Sequence, residues 1–252
     1  MRIDLNIAAP AARITLAHGN QNVIDFAMMD ELTRVLGEVA ERDDISVIVF
    51  SGAGANFSAG VDVPSHTRDK AEAMLSKFHG VIRQLAAMKK IAIAAVRGNC
   101  LGGGAELAMV CDMVVTSKNA TWGFPEIKLG CYPPVACAAL SAVIGQKRAA
   151  ELILTGCTFD GTQAAEYGLA NYAVVEAAVE SRTEAIVKEV QAHSPVALSH
   201  AKRALYSWDS IHFDKGLARA EEIYLKQLIQ SQDAQEGIQA WVEKRKPEWK
   251  GK

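Results

Sequence analysis

The chain is poor in aromatic residues, which fill 6% of its 252 positions. That is too few to line the long cleft of a typical sugar-processing enzyme. It also lacks any excess of charge. The formal net charge is −2 and the pI is near 6.3, so no global basic surface argues for nucleic acid or an anionic membrane as partner. A small cationic patch for a charged ligand stays compatible with these values. No stretch approaches the roughly 18 apolar residues of a spanning helix. Met1 to Thr15 alternates instead of forming the apolar centre of a signal peptide. The cysteines, Cys100, Cys111, Cys131, Cys137 and Cys157, are odd in number and form no C-x-x-C pair. That spacing argues against a disulfide framework and against a zinc site. Buried free thiols in a reducing, cytoplasmic setting are the expectation.

About half of the residues are hydrophobic, and their spacing alternates between two periods. Arg13 to Ala17 reads as a strand. Asp25 is placed to cap a helix whose apolar side is Met28, Leu32, Val35, Leu36 and Val39. Val47 to Phe50 then forms a short, wholly apolar run of the kind found in strands buried on both faces. The order repeats: a helical period over Met74, Phe78, Val81, Ile82 and Leu85, a strand over Ile91 to Val96, and a further strand over Asp112 to Thr116. Such alternation predicts βαβ units with right-handed crossovers. From Val135 onward helical segments dominate: 135–144, 147–154, 162–167, 176–193, 195–208, 217–229 and 233–244. The expected architecture is a mixed α/β core over residues 1–192 followed by a helical region over residues 193–252.

The densest unusual feature is Gly98-Asn99-Cys100-Leu101-Gly102-Gly103-Gly104-Ala105-Glu106-Leu107-Ala108. Three consecutive glycines cost a regular element conformational entropy. They make sense where backbone must approach a ligand or a neighbour closely, with amide hydrogens exposed at a helix start. A tight turn that only permits packing is the plainer alternative. A second glycine turn, Phe57-Ser58-Ala59-Gly60-Val61-Asp62, follows an earlier strand. Two such turns can direct two N–H groups at one carbonyl oxygen. A dinucleotide loop fits neither place. After Gly52-Ala53-Gly54 the last glycine position holds Phe57, and after the triplet it holds Leu107. No G-K-[S/T] makes a phosphate loop.

Two carboxyls stand beside these turns. Glu106 follows the triplet, where a first-turn acid also serves as a plain helix-capping group. Glu126 lies in Trp122-Gly123-Phe124-Pro125-Glu126-Ile127-Lys128-Leu129-Gly130, among apolar neighbours. Paired carboxyls in a desolvated cleft have separated proton affinities, so one can deprotonate water while the other delivers a proton. Each residue taken alone remains compatible with a structural or surface role. Ser58 lacks a G-x-S-x-G context for a nucleophile, and Asp62 reads as a loop-shaping carboxylate.

These stretches together, with Ser231-Gln232-Asp233-Ala234-Gln235-Glu236-Gly237 near the end, resemble the crotonase family, also called the enoyl-CoA hydratase/isomerase family, over nearly the whole chain. The resemblance implies a crotonase-like (ClpP/crotonase) spiral of ββα units with a C-terminal helical region that builds trimers or pairs of trimers. It implies Glu106 and Glu126 as the catalytic pair, and the backbone amides of Val61 and Gly103 as the oxyanion hole. Coenzyme A would enter as part of an acyl-CoA substrate along Ala59, Val61 and Gly103, with no separate cofactor and no metal.

After the second glutamate the chain departs from the usual pattern. Pro134 stands where a glycine is common. That Pro-Pro turn, with His66 and the Phe78-His79 pair, resembles the branch acting on cyclic dienoyl esters in aromatic degradation. The specific substrate expectation is cyclohexa-1,5-diene-1-carbonyl-CoA. His66, Trp122, Tyr132 and Pro134 are the expected acyl-pocket residues, with ordinary packing as the alternative for each side chain. A general short-chain enoyl-CoA hydratase, a double-bond isomerase and a catalytically silent scaffold stay open as other readings.

Overall fold

The computed structural model describes residues 1–251, including all their side chains except those of 207–212. A six-stranded sheet forms its centre. Its strands are β1 (Ile3–Ala8), β2 (Ala11–Leu16), β3 (Val47–Gly52), β4 (Ile91–Val96), β6 (Met113–Ser117) and β9 (Tyr172–Val174), lying side by side in that order. Within this sheet only the β1–β2 pair is antiparallel; β2, β3, β4, β6 and β9 run parallel. The intervening helices are α1 (Phe26–Ala40), α2 (Ala71–Ala86) and α3 (Gly103–Val110). Asp25 caps α1 through its carboxylate, which accepts from Met28 N at 2.9 Å.

The apolar runs of β3 and β4 follow from burial on both faces. Val47, Val49, Ile91 and Ile93 pack against Val179, Ile186 and Val187 of α7 (Val179–Gln191). The alternate residues Ile48, Phe50, Ala92, Ala94 and Val96 join the cluster built from α1 and α2. Burying one such large side chain contributes about 1.5–3 kcal/mol. Neither face leaves a polar side for water, so the strands read as continuous rather than alternating sequence.

A second, three-stranded sheet turns away from the first: β5 (Asn99–Leu101), β7 (Thr121–Gly123) and β8 (Thr158–Asp160). Each turn of the chain sends one segment into each sheet before a helix returns it, so β4, β5 and α3 form a ββα unit. Gly98, with φ +54°, makes the corner between β4 and β5. The earlier unit follows the same path, with Ser58 bridging Cys100 of β5 in parallel. The second sheet thereby brings the two glycine turns side by side.

The helical remainder comprises α4 (Pro134–Ile144), α5 (Gln146–Thr155), α6 (Gly161–Glu166), α7, α8 (Pro195–Leu205), α9 (Ser207–Lys226) and α10 (Gln232–Val242). One helix expected over 195–208 is interrupted at Tyr206, and the next begins at Ser207 rather than near 217. Asp112 lies just before β6 instead of within it. Its carboxylate accepts from Ala92 N and from Lys202 Nζ, each at 2.7 Å, which ties α8 to the sheet. Cys100, Cys111 and Cys131 are buried free thiols, whereas Cys137 is exposed and Cys157 half-buried. No helix among the described residues is long and apolar enough to cross a membrane.

Candidate active site

The two glycine turns meet at close range. Leu101 N donates to Ser58 O at 3.0 Å, and Ser58 N donates to Asn99 O at 2.9 Å. Asn22 supports the approach from below: its amide donates to Ala53 O and Asn56 O. Each glycine of the triplet makes room for something different. A Cβ on Gly102, whose φ is +50°, would lie 2.5 Å from Glu126 Oε1. One on Gly103 would lie 2.7 Å from Val61 Cγ2, and one on Gly104 would lie 2.7 Å from Ser58 Cβ. Atoms cannot approach that closely, so any side chain there would push the turns or the carboxyl apart.

The packing leaves two amides free. Val61 bridges Ile24 in parallel, and that bridge uses Gly60 O and Asp62 N rather than Val61 N. Gly103 is the first residue of α3, where an N–H has no partner within the helix. Among the described residues, neither the Val61 N–H nor the Gly103 N–H meets an acceptor. The turns that carry them are in contact: a Cβ on Gly60 would lie 3.2 Å from Gly103 N.

Both carboxyls open onto the same cavity, of about 320 Å³. Glu106 is 3% exposed and Glu126 8% exposed. Glu106 Oε1 accepts from Ala136 N at 2.9 Å, at the start of α4. It therefore caps a helix other than its own. Pro134 begins that helix, where the missing N–H of proline costs nothing. Glu126 sits on a 3-10 turn, Pro125–Leu129, and its Oε2 is buried without a hydrogen-bond partner. Helix α10 supports this turn from behind. A Cβ on Gly237 would lie 2.2 Å from Leu129 O, so the final helix packs backbone to backbone on the Glu126 segment.

Burial drives both carboxyls well above the usual carboxylate range. For Glu106 the amides of Ala136 and Val135 offset part of the rise. For Glu126 the nearby charge of Glu106 adds to it. Two acids held this way resist double ionisation and retain a transferable proton near neutral pH.

A family model described as enoyl-CoA hydratase/isomerase matches residues 6–252. The chain belongs to this family. It is 30% identical to the cyclohexa-1,5-dienecarbonyl-CoA hydratase of Thauera aromatica, over 95% of this chain and 93% of that protein. It is 32% identical to the 2,3-dehydroadipyl-CoA hydratase of Escherichia coli K12, over 98% and 94% of the two chains. An enoyl-CoA hydratase structure from Bacillus anthracis superposes with a TM-score of 0.80 at 28% identity, covering 100% of both chains. The protein is thus an enzyme of the crotonase fold, an enoyl-CoA hydratase-like hydro-lyase, and the family implies an acyl-CoA substrate.

The residues singled out in the sequence fall in two groups. Ala59, Val61, His66, Gly103, Glu106, Glu126, Tyr132 and Pro134 all line the cavity. Trp122 does not. It is fully buried, donates from Nε1 to Thr116 Oγ1 at 3.0 Å and stacks on Phe159. Its place on β7 turns it into the core behind the site, which corrects the expectation of a pocket residue. Ser58 and Asp62 are structural: Ser58 Oγ donates to Asn22 O, and Asp62 accepts from Ser65 Oγ. Tyr224 on α9 lines the cavity without any mark in the sequence. It occupies an ordinary helical position, and only the packing of α9 on α4 brings it to the wall.

Proposed function

We propose that this enzyme adds water to an α,β-unsaturated acyl-CoA thioester, with Glu106 and Glu126 as its acid/base pair. The observation that carries this reading is the opening of two buried, proton-holding carboxyls onto one cavity beside two unpaired amides. The Val61 and Gly103 N–H groups donate to the thioester oxygen. Water rests between the carboxyls, one of which accepts its proton while the hydroxyl oxygen bonds to carbon β. The π electrons move toward the carbonyl, and the two amides stabilise the resulting enolate oxygen. Collapse of the enolate then takes a proton onto carbon α, from the acid of the pair. Coenzyme A serves as the handle of the substrate, and no further cofactor or metal enters this scheme.

For the acyl group we infer a six-membered ring, cyclohexa-1,5-diene-1-carbonyl-CoA. Support comes from the named relative in Thauera aromatica and from a pocket closed by Phe78, Tyr132, Pro133 and Pro134. With that ester, hydroxide bonds to the ring carbon β to the carbonyl and the proton goes to the far end of the diene. The remaining double bond shifts between them, giving 6-hydroxycyclohex-1-ene-1-carbonyl-CoA. The same reading takes residues 193–252 as the trimer- or hexamer-forming region. Exposed Val196, Leu205 and Trp241 on its helices support it.

Mass-spectrometric turnover in oxygen-labelled water tests both levels. The expected result is one labelled oxygen in the product and preference for the cyclic diene over crotonyl-CoA. A rearranged product without label would overturn hydration in favour of isomerisation. Preference for crotonyl-CoA would overturn the ring alone.

A further inference from the structure

Among the described residues, three buried side-chain polar atoms lack a hydrogen-bond partner: Glu126 Oε2, His79 Nε2 and Tyr224 OH. All three residues line the same cavity. Leaving such an atom unpaired costs about 1–3 kcal/mol. Glu126 has a use in the hydration scheme; His79 has none. Its side chain is fully buried on α2, and its Nδ1 lies 2.7 Å from Glu221 Oε1 of α9. Arg83, one turn further along α2, donates to both oxygens of the same carboxylate at 3.0 and 2.9 Å.

This arrangement decides which ring nitrogen carries the hydrogen. An ionised carboxylate only accepts, so the hydrogen sits on Nδ1 and points at Glu221. Burial works to raise the Glu221 carboxyl, but the hydrogen bonds from His79 and Arg83 outweigh it and bring the group to about 2. Burial also disfavours a charged imidazole at His79. The inner nitrogen, Nε2, is left a buried, bare acceptor on a residue that lines the cavity. An apolar acyl group offers it nothing, and a carboxylate or carbonyl offers a second acceptor. A hydroxyl supplies the missing donor.

We infer that His79 is a specificity residue, positioned by Glu221 and Arg83, whose Nε2 accepts a hydrogen bond from an O–H group on the bound acyl ester. That hydroxyl has two chemical sources. It is either the group that hydration itself places on carbon β or one already present further along the acyl chain. Tyr224, three residues after Glu221 on the same face of α9, carries the one hydroxyl among the three unpaired atoms of the described residues. The inference rests on the hydratase reading only in taking this cavity as the acyl pocket.

Calorimetric binding to the Glu106→Gln/Glu126→Gln protein, in which hydration and its reversal are held back, tests it with two matched pairs. The first is 2-hydroxycyclohexane-1-carbonyl-CoA against cyclohexane-1-carbonyl-CoA. The second is 5-hydroxypentanoyl-CoA against pentanoyl-CoA. One hydroxylated ester is expected to bind roughly tenfold tighter than its partner, and the pair that shows the ratio identifies the source. Adding His79→Leu should bring the ratio to one with little change for the deoxy ester. His79→Gln, which keeps an acceptor, should restore part of it. Glu221→Leu, which frees the imidazole to turn, should lower the ratio while leaving residue 79 intact. Ratios near one for both pairs, or a ratio untouched by His79→Leu and Glu221→Leu, would overturn the role. Failure of the hydratase reading shows separately, as absence of turnover in labelled water.

Discussion

The two segments that carry the carboxyls are built on opposite plans. Glu106 belongs to a helix buried along nearly its whole length, and one of its oxygens is fixed by the first turn of α4. Glu126 belongs to a single 3-10 turn, and its Oε2 has no partner. The difference separates two needs of proton chemistry. A group fixed by backbone amides keeps its place through a reaction cycle. A group with an unpartnered oxygen keeps its hydrogen-bonding capacity in reserve for the reacting groups, at the expense of a desolvated polar atom.

The largest test of this contrast is replacement of each acid by glutamine. Either change is expected to lower turnover by about 10²–10⁴-fold, with the acyl-CoA affinity of the protein retained. Glu106→Gln also places a side-chain amide beside Ala136 N, and should cost stability if the new NH₂ turns toward that donor. Glu126→Gln should carry no such cost. Steady-state kinetics and thermal unfolding of the two variants separate the roles, and a double variant with wild-type turnover would refute the pair.

A smaller effect is expected at Gly102. An added Cβ meets Glu126 Oε1 and must adopt a left-handed φ, so Gly102→Ala displaces the less anchored acid. The expected loss is about tenfold or more in kcat with a lesser change in KM, since a misplacement of about 1 Å can cost on the order of 10²-fold. Unchanged kcat would mean that the Glu126 turn yields freely.

The third test is pH. Because burial, with the nearby charge of Glu106, raises the Glu126 carboxyl well above its unfolded value of 4.5, the unfolded chain loses this proton first as pH rises. The neutral buried acid is thus fully compatible with folding below about pH 4.5, and stability is lost as pH climbs from there toward the raised value. Glu126→Gln should then unfold at a higher temperature than wild type at pH 8, by a gap that shrinks toward pH 5. A gap independent of pH would show that Glu126 is ionised in the folded protein throughout.

Much of the site is legible in sequence because backbone constraints leave marks. The glycine triplet, Gly60 and the Pro125-Glu126 turn are local patterns, and their neighbours in space follow from the ββα order. The long strands and α1 and α2 are legible from their periods. The strands β5, β7, β8 and β9 span three residues each, too few to show any period, and β1 is visible only as alternation. Side chains whose direction depends on distant packing are a different case. Trp122 has the composition of a pocket residue and faces the core, while the His79–Glu221 contact joins positions 142 residues apart. No spacing rule connects such a pair.

Gly237 carries a consequence for how the enzyme comes into being. A chain emerging from the ribosome has both glycine turns and both glutamates long before α10 is made. Until α10 settles on Leu129, the Glu126 turn lacks its backing, so the site is supported only once Gly237 has been added. A chain halted before α10 carries both acids without the support that backs the Glu126 turn.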